Sequence, residues 1–383
     1  MKKIFCMLMA TILFISSMSV SAFALTANES NAELNDAYDA LFASVAGDVN
    51  QDGKFDALDA RAALLASVGE EQDIRESAAD MDGDGVITTL DVRALLRISA
   101  KIDSHDLLYS AADKFNLFNA FANNLKATNQ RFQYTSMLKN IDMSNNNPSL
   151  VDKFNRQMNR IPGMEEEIDL GKELEKEEGK STYKCSTRAY AATDLNFPVK
   201  GKDFVSMLTL NDITSVTYVP NQSYTFTPKR SSGDRVTEIT ENKLAMTGLD
   251  VITVTFAKES MKAIPADTTT LKHGKMFDVP QRDSLTSGYE EINSMFEGLE
   301  DVIGKMSASF KNLTFHDSSV SIYFDRDTKK VCILEYNLYY DFTINLAMDL
   351  SFPLMFIDIE GNMDITDKEY SQYVYCFPEN YSA

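Results

Sequence analysis

Asp48, Asn50, Asp52, Lys54, Asp56 and Asp59 occupy positions 1, 3, 5, 7, 9 and 12 of one short segment, with Gly53 at position 6. Asp80, Asp82, Asp84, Val86, Thr88 and Asp91 repeat the spacing, with Gly85 at position 6. Side-chain oxygens at these positions, a backbone carbonyl at position 7 and a glycine for the sharp turn are what a twelve-residue calcium loop requires. Each segment crowds four carboxylates together, and without a cation they repel at short range. Calcium takes 6–8 oxygen ligands and relieves that repulsion. The pattern therefore predicts two Ca2+ ions, one per loop. Position 12 is Asp rather than Glu, so the following helix must approach the ion more closely. Phe55 and Ile87 stand at position 8, where an apolar residue anchors the loop to a core.

The loops are EF-hand-like, and each is followed by the same tetrapeptide pattern, Asp59-Ala-Arg61-Ala62 and Asp91-Val-Arg93-Ala94. With the approach to the second loop, IRESAADMDGDG, residues 47–103 resemble a type I dockerin, the module by which secreted proteins attach to cohesin modules of cellulosome-type scaffolds. The resemblance implies a near-two-fold pair of helices, about 57–68 and 89–100. It implies a cohesin partner, contacted at loop positions 10 and 11 (Ala57, Leu58, Thr89, Leu90) and on the helices at Leu65 and Arg97. Leucine at position 11 in both loops departs from the small hydroxyl residues common in the family. These leucines either anchor in the partner or pack internally. A helix over 31–46, with Leu34, Tyr38, Leu41, Phe42 and Val45 at helical spacing, precedes the module. It either completes the first hand or clasps the module to the rest of the chain.

Lys2 and Lys3, an apolar run from Ile4 to about Val20, and Ala22-Phe-Ala24 read as a secretory signal peptide over 1–24. The expected location is extracellular, free or held at the cell surface through a scaffold. The chain has 37 basic and 57 acidic residues and a net charge of −20; cleavage would remove two lysines and no acid. Such acidity argues against nucleic acid and anionic membranes, which need positive charge. No segment after the signal is long and apolar enough to insert in a bilayer. The expected state before docking is a monomer. Cys185, Cys332 and Cys376 remain, and Cys332–Cys376 is the pairing expected of one disulfide.

Residues 104–383 read as an α+β domain, which makes the chain multidomain: an all-α dockerin plus a large antiparallel sheet with covering helices. Helices are expected at 104–127, 149–161 and 287–304, and an acidic solvated insert near 164–180. Strands are expected at 131–139, 213–219, 223–228 and 250–257, with a polar loop over 229–249. The clearest pattern runs from Cys332 to Phe356, where even positions are apolar and many odd ones polar, as in strands with one buried face. That run is long for one strand, so a turn or sharp bend is expected inside it. Residues 319–325 and 330–340 form a hairpin, the apolar phase flips after Phe356, and 368–377 supplies a last strand. The stretches LTLNDITSVTY, HGKMFDV and DTKKVCILEYNLYY weakly resemble uncharacterised secreted dockerin-associated proteins.

No catalytic pattern emerges from this domain. There is no Gly-x-Ser-x-Gly and no phosphate-cradling glycine loop, and the three histidines are isolated. Glycoside hydrolysis needs two placed carboxylates, but acids are too plentiful here to discriminate. Trp, a common sugar platform, is absent. The reading is a binding or structural domain, with two alternatives kept open. A polysaccharide-degrading hydrolase, with polysaccharide as a second partner, is the first alternative. A carrier of an apolar ligand on a concave sheet face is the second.

Overall fold

The computed structural model describes residues 31–70, 73–124, 132–143, 148–158, 181–189, 208–277, 279–297, 305–352 and 357–377. The expected signal peptide over 1–24 and the expected acidic insert near 164–180 lie outside these residues. Helices α1 (Asn31–Phe42), α2 (Ala57–Ser67), α3 (Glu76–Ala79), α4 (Thr89–Ser99) and α5 (Ala111–Asn124) lead into the sheet region, and α6 (Pro148–Met158) and α7 (Arg282–Phe296) interrupt it. No described helix is long and apolar enough to cross a membrane.

The strands are β1 (Phe132–Asp142), β2 (Ser181–Ala189), β3 (Ile213–Phe226), β4 (Lys229–Ser232), β5 (Arg235–Glu238), β6 (Leu244–Phe256), β7 (Glu259–Met261), β8 (Lys305–Phe315), β9 (Ser319–Asp325), β10 (Lys330–Phe352) and β11 (Ile357–Cys376). Nine form one antiparallel sheet in the order β2-β1-β11-β10-β9-β6-β3, with β8 also on β10 and β7 on β8. The β9–β10 hairpin turns at residues 326–329, as expected.

The bend expected inside 332–356 is not a break. β10 runs 23 residues without interruption. β11 pairs along one side from Ile333↔Cys376 to Phe352↔Ile357. The other side is shared, with β9 taking Lys330–Asn337 and β8 taking Tyr340–Asp349. Register shifts at Val331/Ile333 and Thr343/Ile344 supply the local bending. The phase flip after Phe356 is the pairing rule of the β10–β11 hairpin, in which Ile344 faces Ile365 and Leu346 faces Met363.

Two sequence expectations are corrected here. The polar loop over 229–249 contains the β4–β5 ribbon and the start of β6. The strands expected at 213–219 and 223–228 are one strand, β3, whose register slips around Asn221; Asn221 has a positive φ of 53°.

Alternation along β10 divides two cores. Leu334, Tyr336, Leu338, Tyr340, Phe342, Ile344 and Leu346 join Phe115, Phe118 and Phe121 of α5 in the main cluster. Ile333, Val374, Cys376, Cys185 and Leu249 belong to a second, smaller cluster. The second forms where the sheet edges meet. The Cys185 amide on β2 donates to the Ser231 hydroxyl on β4 at 2.9 Å, and the Thr187 hydroxyl donates to the Lys229 carbonyl at 2.9 Å. All three described cysteines are buried and none is disulfide-bonded, so the expected Cys332–Cys376 disulfide is absent. Cys376 pairs with Ile333, and Cys332 is the extra residue of the β10 bulge.

Helix α1 packs with the sheet domain. Leu34, Tyr38 and Leu41 are buried in the main cluster. The Tyr38 ring meets Phe324 edge-on at 6.3 Å, and Lys329 on the β9–β10 turn lies 4.5 Å above the Tyr38 ring. Each such buried apolar side chain contributes roughly 1.5–3 kcal/mol. Of the two roles open to this helix, the contacts are those of a clasp onto the sheet domain.

Candidate functional site: the paired acidic loops

Helices α2 and α4 begin with the same capping box. The Asp56 side chain accepts the Leu58 amide at 2.7 Å, and the Thr88 hydroxyl accepts the Leu90 amide at 3.1 Å. The third helical residue, Asp59 or Asp91, reaches back to the amide of Asp56 (2.7 Å) or Thr88 (2.8 Å). Two otherwise orphaned helix donors are satisfied in each copy.

The same two carboxylates close the loops. Asp59 Oδ1 accepts the amides of Val49 (2.8 Å) and Asn50 (3.2 Å). Asp91 Oδ1 accepts those of Met81 (2.8 Å) and Asp82 (3.3 Å). Both side chains are buried, at 1 % and 2 % exposure. Burial pushes the Asp91 carboxyl up, but hydrogen bonds from Thr88, Met81 and Asp82 outweigh it and hold the pKa below the usual value. Asp91 at position 12 of the second loop is therefore held as a carboxylate.

Position 1 folds the turn. Asp48 accepts the amides of Asp52 (3.1 Å) and Gly53 (3.0 Å). Asp80 accepts those of Gly83 and Gly85, both at 2.8 Å. Gly53 and Gly85 have φ of 84° and 83°, a backbone that disfavours any side chain.

Oxygens of Asp80, Asp82 and Asp84 all lie within 4.8 Å of one another. Two ligands on opposite sides of a calcium ion, each at 2.3–2.6 Å, have about that separation. The set fits a hard divalent cation. The Asp84 amide pulls the Asp82 pKa down, but desolvation and the carboxylates of Asp84, Asp91 and Asp80 carry it above the usual value. In the first loop position 3 is Asn50, whose amide nitrogen sits 3.4 Å from Asp52 Oδ2. Lys54 and Val86, the expected carbonyl donors of position 7, are exposed, as are Asp56, Asp52 and Asp84; Thr88 is half-buried.

The positions expected to contact the partner divide. Ala57, Leu58, Thr89 and Leu90 are exposed, Leu58 by 52 % and Leu90 by 65 %. Leu65 and Arg97 are half-buried. Arg97 donates to Asp103 through Nε (2.6 Å) and Nη2 (2.7 Å), an intramolecular fork. The sequence reading passed over Leu64 and Leu96, which are exposed at equivalent places on α2 and α4. The signal was available: both lie off the Ala60/Ala63 and Val92/Leu95 face that fills the module's core.

In the sheet domain, two acids meet around Lys139. Its ammonium is 2.6 Å from Glu369 and 3.6 Å from Asp367. Both acids are drawn to one cation, and the Ser371 hydroxyl holds Glu369 at 3.1 Å. That is the chemistry of an ion cluster. A second polar cluster joins Asp250, Tyr218 and Arg326: Asp250 Oδ2 accepts from the Tyr218 hydroxyl (2.6 Å) and from Arg326 Nε (2.7 Å).

The family model described as "Dockerin type I domain" matches residues 46–98. No curated protein and no solved structure matches the chain. Residues 46–98 are a type I dockerin, which implies calcium binding and docking to a cohesin in a cellulosome-type assembly. A separate β-rich domain with a large antiparallel sheet accompanies it.

Proposed function

We propose that this chain is a secreted, monomeric component of a cellulosome-type assembly that loads two calcium ions and docks through its dockerin to a cohesin-bearing scaffold. In this reading a signal peptide over residues 1–24 directs secretion. The first ion is held by Asp48, Asn50, Asp52, the Lys54 carbonyl, Asp56 and Asp59. The second is held by Asp80, Asp82, Asp84, the Val86 carbonyl, Thr88 and Asp91. Leu58 and Leu90, exposed at equivalent places in the two copies, are apolar anchors for the partner, flanked by Ala57 and Thr89. The sheet with its covering helices is an α+β cargo domain with a binding or structural role.

The observation that carries this reading is the duplicated closure of each loop by a buried position-12 aspartate, within a segment that matches the dockerin family. In the second loop the acids of positions 1, 3 and 5 gather at one point, a charge distribution that a cation stabilises. Against the apolar-carrier alternative, the even-numbered face of β10 is filled by the protein's own core. The hydrolase alternative gains nothing from the lysine-bound pair Asp367 and Glu369.

The test is capture on an immobilised panel of type I cohesins. The native chain should be retained in calcium and released by chelator, and Asp52→Ala with Asp84→Ala should abolish retention. Capture that persists equally in excess chelator would falsify the proposal.

A further inference from the structure

We infer that the turn 105–109 is a two-faced wedge that couples calcium loading of the first loop to the stability of the cargo sheet. The inference rests on the calcium reading of residues 48–59 and goes beyond it.

One side of the wedge faces the dockerin. Leu108 packs against the dockerin core together with Phe55, the position-8 residue of the first loop. The His105 ring meets the Phe55 ring edge-on at 5.8 Å. Gly47, which joins the chain from α1 to that loop, lies beneath both partners. A Cβ there would come within 2.6 Å of Phe55 and 2.9 Å of Leu108, and its φ is 75°.

The other side faces the sheet. Tyr109 packs edge-on against Tyr218 of β3 at 4.8 Å and against Phe42 at 6.2 Å. The Asp106 carboxylate accepts the Tyr218 amide and binds the buried Lys114 ammonium at 2.9 Å. Tyr218 in turn donates to Asp250, which also holds Arg326. A continuous series of ring contacts, Phe55–His105–Tyr109–Tyr218, thus runs from a calcium loop into the sheet.

The chain path strengthens the link. Helix α1 precedes the dockerin and α5 follows it, yet both bury side chains in the same main core. Both ends of the dockerin are therefore held by the cargo. A ligand that binds only the folded loop stabilises whatever is cooperative with it. With Phe55 seated against the wedge, that cooperative unit includes β3.

The experiment uses the full chain, with calcium binding measured by calorimetry and sheet melting followed by the far-ultraviolet β band. Saturating calcium should raise the melting temperature of the native sheet by roughly 2 °C or more. His105→Ala with Tyr109→Ala should still bind calcium but lose that shift. His105→Ala alone should reduce it, and His105→Phe, which preserves a ring at that place, should keep it. Calcium binding to the native chain without any movement of the sheet transition would overturn the coupling while leaving the docking reading intact. A full shift in the double variant would also overturn it. No calcium binding at all would overturn both.

Discussion

The Tyr38 hydroxyl donates to the backbone carbonyl of Arg326 at 2.8 Å, across 288 residues of sequence. Tyr38 sits on a helix that precedes the dockerin, and Arg326 on the turn between two central strands. Burial raises the Tyr38 pKa to about 12, so the hydroxyl stays protonated and can donate throughout the physiological range. Tyr38→Phe should destabilise the sheet by about 1 kcal/mol, the usual net worth of one such bond. Leu41→Ala, which empties a core position, should cost about 2–5 kcal/mol. Urea unfolding read on the sheet signal measures both. An unchanged sheet transition in both variants would show that α1 does not stabilise this domain.

The exposed leucines give a prediction about the partner. Leu58→Ser with Leu90→Ser should weaken cohesin binding by roughly tenfold or more, as loss of central apolar anchors does, with calcium affinity preserved. Arg97→Ala should matter less, because its guanidinium is already committed to Asp103. Calorimetric titration against one cohesin separates the two. An Arg97 effect larger than the leucine effect would move the interface to the helix ends.

Acid should weaken the sheet domain through His273 and Glu259. The His273 ring is fully buried against Phe315 at 4.8 Å and Phe256 at 5.2 Å, with Nδ1 3.5 Å from Glu259. Burial lowers the His273 pKa, which the neighbouring Glu259 offsets only in part. Below about pH 6.5, the ordinary histidine value, the unfolded chain takes up a proton that the folded chain resists. Stability is therefore full above that pH and declines as pH falls. Burial raises the Glu259 pKa, but hydrogen bonds from His273 and the Lys272 amide outweigh it and lower it overall. Its contribution is likewise lost as pH falls through the carboxylate range, so the two slopes share a sign. Melting temperatures from pH 8 to 5 should fall in the native chain and fall less in His273→Gln. Equal slopes would remove His273 from this account.

The thiols offer a chemical check. Cys185, Cys332 and Cys376 are buried and not disulfide-bonded, and burial, helped by Asp325, pushes the Cys332 thiol up to about 12. A thiol reagent should leave all three unlabelled in the native chain and label all three after denaturation without reductant. Two unreactive cysteines in the denatured, unreduced chain would instead mean a disulfide.

What the sequence determined by itself is what is local. The paired acidic loops were legible because the residues of each lie within one short segment and glycine marks the turn. The β9–β10 hairpin and the buried face of β10 were legible for the same reason: period and spacing carry them. Tertiary structure decided what distant segments do to each other. Nothing near Tyr38 announces Arg326, and nothing near Cys332 says that a bulge sets it out of register with Cys376. The unbroken length of β10 depends on β8 and β9 sharing one flank while β11 holds the other, and the exposure of Leu58 and Leu90 depends on which helix face the partner helix covers. These outcomes come from packing between parts of the chain far apart in sequence, where the cost of ordering is offset by buried area that no local pattern encodes.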